Sequence, residues 1–245
     1  MIKNALVVGG ANGIGLSIAL SLAERQSCEK IYVVDKVRID DKIIHEKIES
    51  YVFDLTETDF HVFDKFNDIN ALFITAGFGK LALFKDIDEK YIVDSFNVNT
   101  IAAIRIIHRF YERIHGNKDF YTCVMVSIAG FMSSPFFSVY GASKAALKIF
   151  IESVNVELLK SGTTNRILNV SPGSIKGTSF NNKETQLDSL KQLTEEIIHY
   201  TESKHDLFIP QYDTIFKNVL ERYNLDFRAE GIHSYEYKQK TLNLR

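Results

Sequence analysis

Short apolar runs alternate along this chain with longer segments of mixed polarity. The apolar runs are hydrophobic at both odd and even positions, as strands are when helices cover both faces of a sheet. They cover residues 5–8, 30–34, 50–53, 71–75, 122–127 and 166–170. Three clear helical patterns lie between them, at residues 13–24, 88–115 and 139–159. This repeated strand–helix order predicts an α/β fold, a doubly wound parallel sheet with helices on both faces.

The chain from about residue 179 onward fits this alternation less well. It is polar, with possible helices at residues 184–200 and 212–223. One apolar patch, Leu207-Phe208-Ile209, is a candidate for a final strand.

The domain organisation follows from the absence of any linker-like shift in composition. We predict one domain over residues 1–245, with a core of about 1–178 and a covering segment and tail of about 179–245. The tail could contact a partner subunit or narrow a binding site, but we favour a helical tail packed on the surface. It carries Tyr223, Tyr235 and Tyr237, with charged residues between them.

The composition excludes several classes of protein. A chain of 245 residues can bury a core without disulfides or metals, and its net charge of −2 gives no reason to expect a nucleic acid or an anionic membrane as partner. Cys28 and Cys123 do not form a Cys-x-x-Cys pair, and the seven histidines show no metal-ligand spacing. No run approaches the roughly 18 apolar residues of a membrane span. We therefore predict a reduced, cytoplasmic protein with no metal and no membrane segment.

Glycines cluster where the first predicted strand meets the first predicted helix. Glycines there let backbone amides approach a pyrophosphate closely, and the helix N-terminus adds unpaired N–H groups and a positive dipole end. Tight turns that bind no ligand show the same pattern, but the position directly after the first strand favours a dinucleotide site. The candidate cofactor residues in this turn are Gly9, Asn12, Gly13, Ile14 and Gly15.

An aspartate, Asp35, ends the second predicted strand, about 20 residues after the glycine turn. Its carboxylate could accept hydrogen bonds from both hydroxyls of an adenosine ribose and would repel a 2′-phosphate. The alternative is a surface aspartate at a strand end, and the neighbouring Lys36 could weaken the discrimination. We therefore expect NAD to be favoured, with NADP possible. Asp54 and Leu55, after the third strand, could border the adenine, although Asp54 is equally typical of an ordinary turn.

A tyrosine and a lysine four residues apart provide the candidate chemistry. In Tyr140-Gly141-Ala142-Ser143-Lys144 the two side chains would share one face of a helix. A nearby ammonium would lower the pKa of the phenol, so Tyr140 could exchange a proton with an alcohol or carbonyl oxygen as hydride moves. Ser127, at the end of the fifth strand, could hydrogen-bond that oxygen. Taken alone, Asn99, Ser127, Tyr140 or Lys144 would be interpreted as an ordinary structural residue. Together they occur in the expected order on the expected helices and strand, and this combination indicates catalysis.

At these positions the sequence resembles the short-chain dehydrogenase/reductase family, in its compact single-domain branch, over about residues 5–178. The resemblance implies a Rossmann-like fold and a nicotinamide-dependent oxidoreductase that moves a hydride between the cofactor and a carbonyl or secondary alcohol. The positions that match the family motifs are Gly9, Gly13, Ile14, Gly15, Ala76, Gly77, Asn99, Ser127, Tyr140, Lys144, Pro172 and Gly173.

The resemblance also implies roles for individual residues. Lys144 would hold the nicotinamide ribose as well as lower the pKa of Tyr140, and Asn99 would fix a water in a proton relay reaching Lys144. Family members often form a homodimer or homotetramer through the helices that correspond to residues 88–115 and 139–159. Beyond the glycine turn, the residues predicted to line the cofactor, from their position in the sequence or from the resemblance, are Asp35, Asp54, Leu55, Ala76, Gly77, Tyr140, Lys144, Pro172, Gly173, Ile175 and Thr178.

The sequence departs from the family pattern in several places. Val8 stands where a threonine usually opens the glycine motif, and Ile74 and Thr75 stand where two asparagines usually precede Ala-Gly. These positions support the cofactor site, so they bear on cofactor affinity. Gly177 displaces a threonine that reappears at Thr178. The glycine-rich strand that commonly ends the family is not evident.

The substrate is left open by the sequence. Ligands of open α/β sheets bind beyond the carboxyl ends of the strands. The apolar residues expected near that mouth are equally consistent with an apolar part of a small-molecule substrate and with packing of a lid or subunit interface. Two other functions stay open: a dinucleotide-binding sensor or scaffold without turnover, and a sugar-nucleotide epimerase or dehydratase that retains NAD. The apolar residues in question are Phe131, Met132, Phe136, Phe137 and Phe180.

Overall fold

The computed structural model describes residues 1–43, 45–175 and 185–241. In this part of the chain the strands are β1 (Asn4–Val8), β2 (Lys30–Asp35), β3 (Ile48–Val52), β4 (Ala71–Ile74), β5 (Tyr121–Met125), β6 (Ile167–Val170) and β7 (Leu207–Phe208). They pair in parallel in the order β3-β2-β1-β4-β5-β6-β7. From β1 the chain adds β2 and then β3 on one side of the sheet, and from β4 it adds β5, β6 and β7 on the other side. The predicted doubly wound sheet is therefore confirmed, and its topological switch point lies between β1 and β4.

Helices lie between some of the strands and after the last one. They are α1 (Gly13–Ala23), α2 (Glu89–Phe96), α3 (Ala102–Arg109), α4 (Tyr111–His115), α5 (Ser138–Ser161), α6 (Leu187–Glu202), α7 (Lys217–Leu225) and α8 (Phe227–Thr241). Two stretches of π-helix, Asn97–Ile101 and Tyr212–Phe216, join α2 to α3 and precede α7. None of the helices in the described ranges combines the length and the apolar character needed to cross a bilayer.

The prediction of one continuous helix over residues 88–115 is wrong. Asp88 caps α2 by accepting a hydrogen bond from the Tyr91 N–H at 2.8 Å, so the helix begins at Glu89. The π-helical stretch then adds a residue to the turn around Asn99, and Phe110, at φ −96° and ψ 5°, separates α3 from α4. Apolar periodicity persists across such interruptions, which is why the sequence pattern did not show them.

Most strands are apolar at both odd and even positions because an apolar layer covers each face of the sheet. Leu6 and Val8 on β1 face a cluster that includes Phe63, while Ala5 and Val7 face the opposite layer, which α1 and α6 cover. The third strand is the exception. It lies at the sheet edge, is shifted two residues from its predicted start, and leaves Val52 54% exposed.

The apolar patch near residue 208 forms the last strand of the sheet. Leu207 pairs with Asn169 and Phe208 with Val170, so β7 continues the parallel ladder of β6. This confirms the candidate final strand. The chain after β7 then continues into α7 and α8, as the predicted helix at 212–223 anticipated in part.

Candidate active site

The glycine turn connects β1 to α1 as predicted. Gly9 has φ +82°, and a Cβ at this position would lie 2.4 Å from the backbone nitrogen of Ala76, so only glycine allows β1 and β4 to approach here. Ile14 and Gly15 lie in the first turn of α1, after an exposed Asn12. The Gly13 N–H donates a hydrogen bond to the Thr185 hydroxyl at 3.1 Å. The segment before α6 therefore returns to the N-terminus of α1.

Thr75, one of the departures from the family pattern, fastens this turn. Its hydroxyl lies 3.0 Å from the carbonyl oxygens of both Val8 and Gly9, and its N–H donates to Val8 at 2.8 Å. The Ala76 N–H also donates to Val8, at 3.1 Å. The backbone of Val8 thus carries the contacts that join β1 to β4, and Thr75 supplies a side-chain support at a position where the family usually has asparagine.

Asp35 ends β2 directly beside the glycine turn. Its Oδ2 accepts a hydrogen bond from the Ala11 N–H at 3.0 Å, and its Oδ1 lies 3.4 Å from the Val37 N–H. A carboxylate is therefore fixed at the edge of the turn, where the adenosine side of a dinucleotide would be expected.

Asp54 behaves as an ordinary turn residue. Its Oδ1 accepts hydrogen bonds from the Thr56 N–H and hydroxyl, both at 2.9 Å, and these bonds hold the pKa of the carboxyl below its usual value. Leu55 is half-buried and packs against the apolar core. Of the two alternatives for Asp54, the structure supports the turn, and an adenine contact stays a prediction.

Lys144 lies in the interior, between the ends of β4 and β5. It is 2% exposed, and its Nζ donates a hydrogen bond to the carbonyl oxygen of Met125 at 2.8 Å. Gly77 leaves room for it, because a Cβ there would lie 3.1 Å from the lysine nitrogen. Burial disfavours the charged form and lowers the pKa of Lys144 to about 7.

Tyr140 and Ser127 meet at the same edge of the sheet. Burial raises the pKa of Tyr140 to about 12, and a hydrogen bond with the Ser127 side chain acts in the opposite direction. Ser127 also accepts from the Ala129 N–H at 3.2 Å and lies 3.5 Å from the Pro172 carbonyl oxygen. The expectation of a lowered tyrosine pKa is therefore not met by the protein's own groups. The reason is that desolvation by burial is the largest influence on the phenol, and the nearby Tyr91 raises its pKa further. The Nζ of Lys144 lies 5.9 Å from the Tyr140 ring centre.

Asn99 lies in the π-helical stretch, a kind of irregularity often found at functional sites. Its side chain accepts from the Phe78 N–H and donates to the Phe78 carbonyl, both at 2.9 Å. Its amide nitrogen is also 3.1 Å from the Ser143 hydroxyl, which in turn donates to the Tyr140 carbonyl at 2.7 Å. Asn99 thus joins the loop after β4 to the helix that carries Tyr140, and its role in a water relay stays a prediction.

The residues after β6 complete the site. The Pro172 carbonyl accepts the Ile128 N–H at 3.0 Å, which holds the loop after β6 against the loop after β5. The edge of the Phe216 ring lies against Gly173, and Ile175 is half-buried nearby in the chain. The predictions for Thr178 and Phe180 lie outside the described residues.

The loop between Ser127 and Tyr140 contacts the C-terminal helices. Phe136 is 6% exposed and stacks on Tyr235, with ring centres 4.7 Å apart. Phe131 and Met132 are half-buried, and the Phe137 ring lies 5.7 Å from that of Tyr140. The tail is helical as predicted, but it packs on this loop and on Gly173, next to the candidate active site.

Several contacts at the site had no signal in the sequence. Thr75 and Thr185 make their contacts with residues 67 and 172 positions away, which no local pattern encodes. Ser143 could have been noticed, since it lies between Tyr140 and Lys144 within the motif itself.

The fold and the site together define a doubly wound α/β protein in which a glycine turn and a Ser-Tyr-Lys group share the carboxyl edge of the sheet. The profile of the family described as short chain dehydrogenase matches residues 3–188. The chain belongs to this family.

Known relatives agree with this placement. The chain is 27% identical over 191 residues to an uncharacterized oxidoreductase of Saccharomyces cerevisiae, a match that covers 72% of this chain and 61% of that protein. It is 28% identical over 169 residues to a dehydrogenase of Cochliobolus heterostrophus, covering 66% and 63% of the two proteins. The chain thus spans about three fifths of the length of these curated relatives.

Solved structures share the fold. A short chain dehydrogenase from Burkholderia cenocepacia in complex with NADP has a TM-score of 0.76 at 18% identity, with 95% of this chain and 97% of that chain covered. The bulky-bulky ketone specific alcohol dehydrogenase from Comamonas testosteroni has a TM-score of 0.72 at 23% identity, with 95% and 94% covered.

Proposed function

We propose that this chain is an oxidoreductase that transfers a hydride between a nicotinamide dinucleotide and a carbonyl or secondary alcohol. The observation that supports this most strongly is the convergence of Ser127, Tyr140 and Lys144. The phenol and the hydroxyl are hydrogen-bonded to each other, and the lysine lies one helical turn away in a buried position. A sensor without turnover could use the lysine to hold the nicotinamide ribose, but it has no need of the hydrogen-bonded pair of Ser127 and Tyr140.

The residues present fit a nicotinamide dinucleotide. The N-terminus of α1 offers a positive dipole end to a pyrophosphate, and Asp35 stands beside the turn where a ribose would be bound. Ala76 and Gly77, at the end of β4, and Ile175, after β6, would line the rest of the cofactor. When bound, the nicotinamide would supply or accept the hydride.

Proton transfer would be the task of Tyr140. In carbonyl reduction the phenol donates its proton to the substrate oxygen, while the Ser127 hydroxyl hydrogen-bonds the same oxygen and stabilises the charge that develops there. In alcohol oxidation the phenolate must form first. The Lys144 ammonium and the positive charge of an oxidised nicotinamide would both favour it.

NAD is the cofactor that we propose. The carboxylate of Asp35 is fixed by the Ala11 N–H, and a 2′-phosphate next to it would be repelled. Solved structures of similar fold from Burkholderia cenocepacia and Sphingobium yanoikuyae contain NADP and NADPH, respectively. They support a nicotinamide dinucleotide as the cofactor, and the preference for NAD rests on Asp35 alone.

We also propose that the protein forms a homodimer or homotetramer. The outer face of α5 is apolar although it is exposed, with Ile149 57% and Val156 60% accessible. Such a face on a long helix is typical of a subunit interface. Sedimentation of the wild type and of a Val156→Arg variant tests this interface. We expect the variant assembly to have a lower molecular mass, and an unchanged molecular mass would contradict the interface.

The function is tested by titrating the protein with NADH and NADPH, following nicotinamide fluorescence, and then by screening carbonyl compounds with the tighter cofactor. Binding followed by oxidation of the cofactor in the presence of a carbonyl supports the proposal. Binding without turnover of any carbonyl or alcohol supports a sensor, and NAD that copurifies with the protein supports an epimerase or dehydratase.

A further inference from the structure

The chain after β7 crosses the edge of the sheet that carries the candidate active site. We call residues 212–241 the C-terminal wall. Ligands of open α/β sheets bind beyond the carboxyl ends of the strands, which is where Ser127 and Gly173 lie. The C-terminal wall therefore lies at the edge of the sheet where a substrate would bind.

One end of the wall lies on Gly173. A Cβ added to this glycine would lie 2.5 Å from Cζ of Phe216 and 3.2 Å from its Cε2, so the edge of the ring is in contact with the glycine itself. Phe216 ends the π-helical stretch that precedes α7 and is half-buried. The loop after β6 and the wall thus meet through an aromatic ring that fills the space above Gly173.

The other end of the wall holds the loop that leads to Tyr140. Lys238 on α8 donates hydrogen bonds to the Ser134 hydroxyl at 2.7 Å and to the Pro135 carbonyl at 2.9 Å. Tyr235 stacks on Phe136, which has a φ of +67°. A bulky side chain rarely adopts this conformation, so the contacts around it must hold it in place.

A salt bridge connects the two ends of the C-terminal wall. Two of the three guanidinium nitrogens of Arg222, Nε and Nη2, donate to the two carboxylate oxygens of Glu230 at 2.7 and 3.0 Å, and Glu230 is only 8% exposed. This bidentate pair links α7 to α8. The wall is thereby a single unit that contacts Gly173 on one side and the loop before Tyr140 on the other.

We propose that the C-terminal wall encloses the substrate and that Phe216 limits the size of the apolar group that can be accepted beside Gly173. This rests on the proposed carbonyl chemistry, since the group in question is a substituent on the reacting carbonyl carbon. The substrate class is therefore an apolar ketone or secondary alcohol whose substituent on the Gly173 side is small.

The first test is a Phe216→Ala variant, assayed with NADH and ketones of increasing size: butan-2-one, acetophenone and benzophenone. Removing the ring should raise kcat/KM for the largest ketone relative to the smallest by about tenfold or more, because pocket volume sets discrimination between apolar groups. The profile is measured at saturating NADH, because Phe216 contacts Gly173, which is itself expected to line the cofactor. Leu225→Ala, on the same wall but 89% exposed, is the matched control and should keep the wild-type size profile.

An unchanged size profile in Phe216→Ala would overturn the inference while leaving the carbonyl chemistry in place. Phe216→Leu provides an intermediate ring-free variant if the alanine form does not fold. If the wild type reduces no ketone at all, the proposed function fails, and a second measurement decides the position of the wall by itself.

That measurement uses the absence of tryptophan from the chain. Phe216→Trp and Leu225→Trp each introduce a single fluorophore, whose access to acrylamide is followed with and without NADH. A wall over the site predicts that the tryptophan at position 216 is shielded in the free protein and shielded further by NADH, whereas the one at 225 is quenched freely in both. Equal quenching at the two positions would show that the wall does not cover the site.

Discussion

The Nζ of Lys144 lies 5.9 Å from the centre of the Tyr140 ring, one helical turn along α5. Burial acts on both residues in opposite directions, raising the pKa of the phenol to about 12 and lowering that of the amine to about 7. Each shift favours the uncharged form, because removing a group from water penalises its charge. The site therefore holds a neutral phenol at physiological pH.

Replacing that phenol should stop turnover without affecting the cofactor. We expect Tyr140→Phe to lower kcat by about 10²–10⁴-fold, the usual contribution of a positioned acid or base, because the aromatic ring remains but the exchangeable proton is lost. NADH fluorescence titration should give an unchanged Kd. Tyr111→Phe, on α4, is the control and should keep wild-type kcat. Turnover that survives in Tyr140→Phe would show that another group transfers the proton.

The two directions of the reaction should respond differently to pH. Since the pKa of Tyr140 is raised to about 12, the phenol that carbonyl reduction requires is present throughout the neutral range. The phenolate that alcohol oxidation requires is scarce there. We expect kcat/KM for reduction to be nearly constant around neutrality and kcat/KM for oxidation to rise with pH, by up to about tenfold per unit. A flat oxidation profile would mean that the free enzyme already holds the phenolate.

Burying Lys144 should lower the free energy of unfolding of the protein, although the residue is proposed to assist catalysis. Burial lowers its pKa from 10.5 to about 7. Below about pH 7 the lysine is charged in both the folded and the unfolded chain, so the full penalty of burying the charge is felt. Between about 7 and 10.5 the folded chain has lost the proton but the unfolded chain has kept it, so the wild type gains stability as the pH rises.

A Lys144→Met variant removes this penalty. We expect it to melt a few degrees higher than the wild type at about pH 6, with a difference that shrinks toward about pH 10, and to lose turnover. The lost hydrogen bond to the Met125 carbonyl subtracts from the gain at every pH. Calorimetry across this range checks the sign. An advantage that grows with pH would contradict the buried position of the amine.

The charge on Asp35 should control the choice between NADH and NADPH. Two unit charges about 4 Å apart near a protein surface interact by about 1–4 kcal/mol. We therefore expect Asp35→Asn to shift the ratio of the two dissociation constants toward NADPH by about tenfold or more. Asp41→Asn removes an equal charge from an exposed position after β2 and is the control. A wild type that binds NADPH more tightly than NADH would already contradict the role of Asp35.

The sequence predicted the parts of the site that depend on local spacing. Tyr140 and Lys144 share a helix face, and the glycine turn follows β1 directly, so a few residues suffice to place each of them. Buried strands could be predicted because both faces are apolar. The edge strand β3 was displaced by two residues because an exposed strand lacks that signature.

Contacts between distant segments could not be predicted. The stacking of Tyr235 on Phe136 and the contact of Phe216 with Gly173 depend on how the tail returns across the sheet. Polar tail sequences of this kind are compatible with many positions on the surface. The prediction of a lowered pKa for Tyr140 was wrong for a related reason. Burial raises this pKa, and the extent of burial depends on all the residues around Tyr140.

Thr75 allows the most direct test of whether a departure from the family pattern is compensated. Its hydroxyl lies 3.0 Å from the carbonyl oxygens of Val8 and Gly9, at the start of the glycine turn. We expect Thr75→Val to weaken NADH binding several-fold, because losing a hydrogen bond worth about 0.5–1.5 kcal/mol loosens the backbone that must present its amides to the pyrophosphate.

The control for this change is Thr201→Val. Thr75 is half-buried and Thr201 is buried, and Thr201 likewise donates its hydroxyl to a backbone carbonyl, that of Ile197 at 2.7 Å, but it lies on α6. Both variants should lose similar stability in thermal melts, and only Thr75→Val should raise the Kd for NADH. If the two variants bind NADH equally well, the hydroxyl of Thr75 stabilises the fold without shaping the turn. The site would then tolerate the loss of the family's asparagine without compensation.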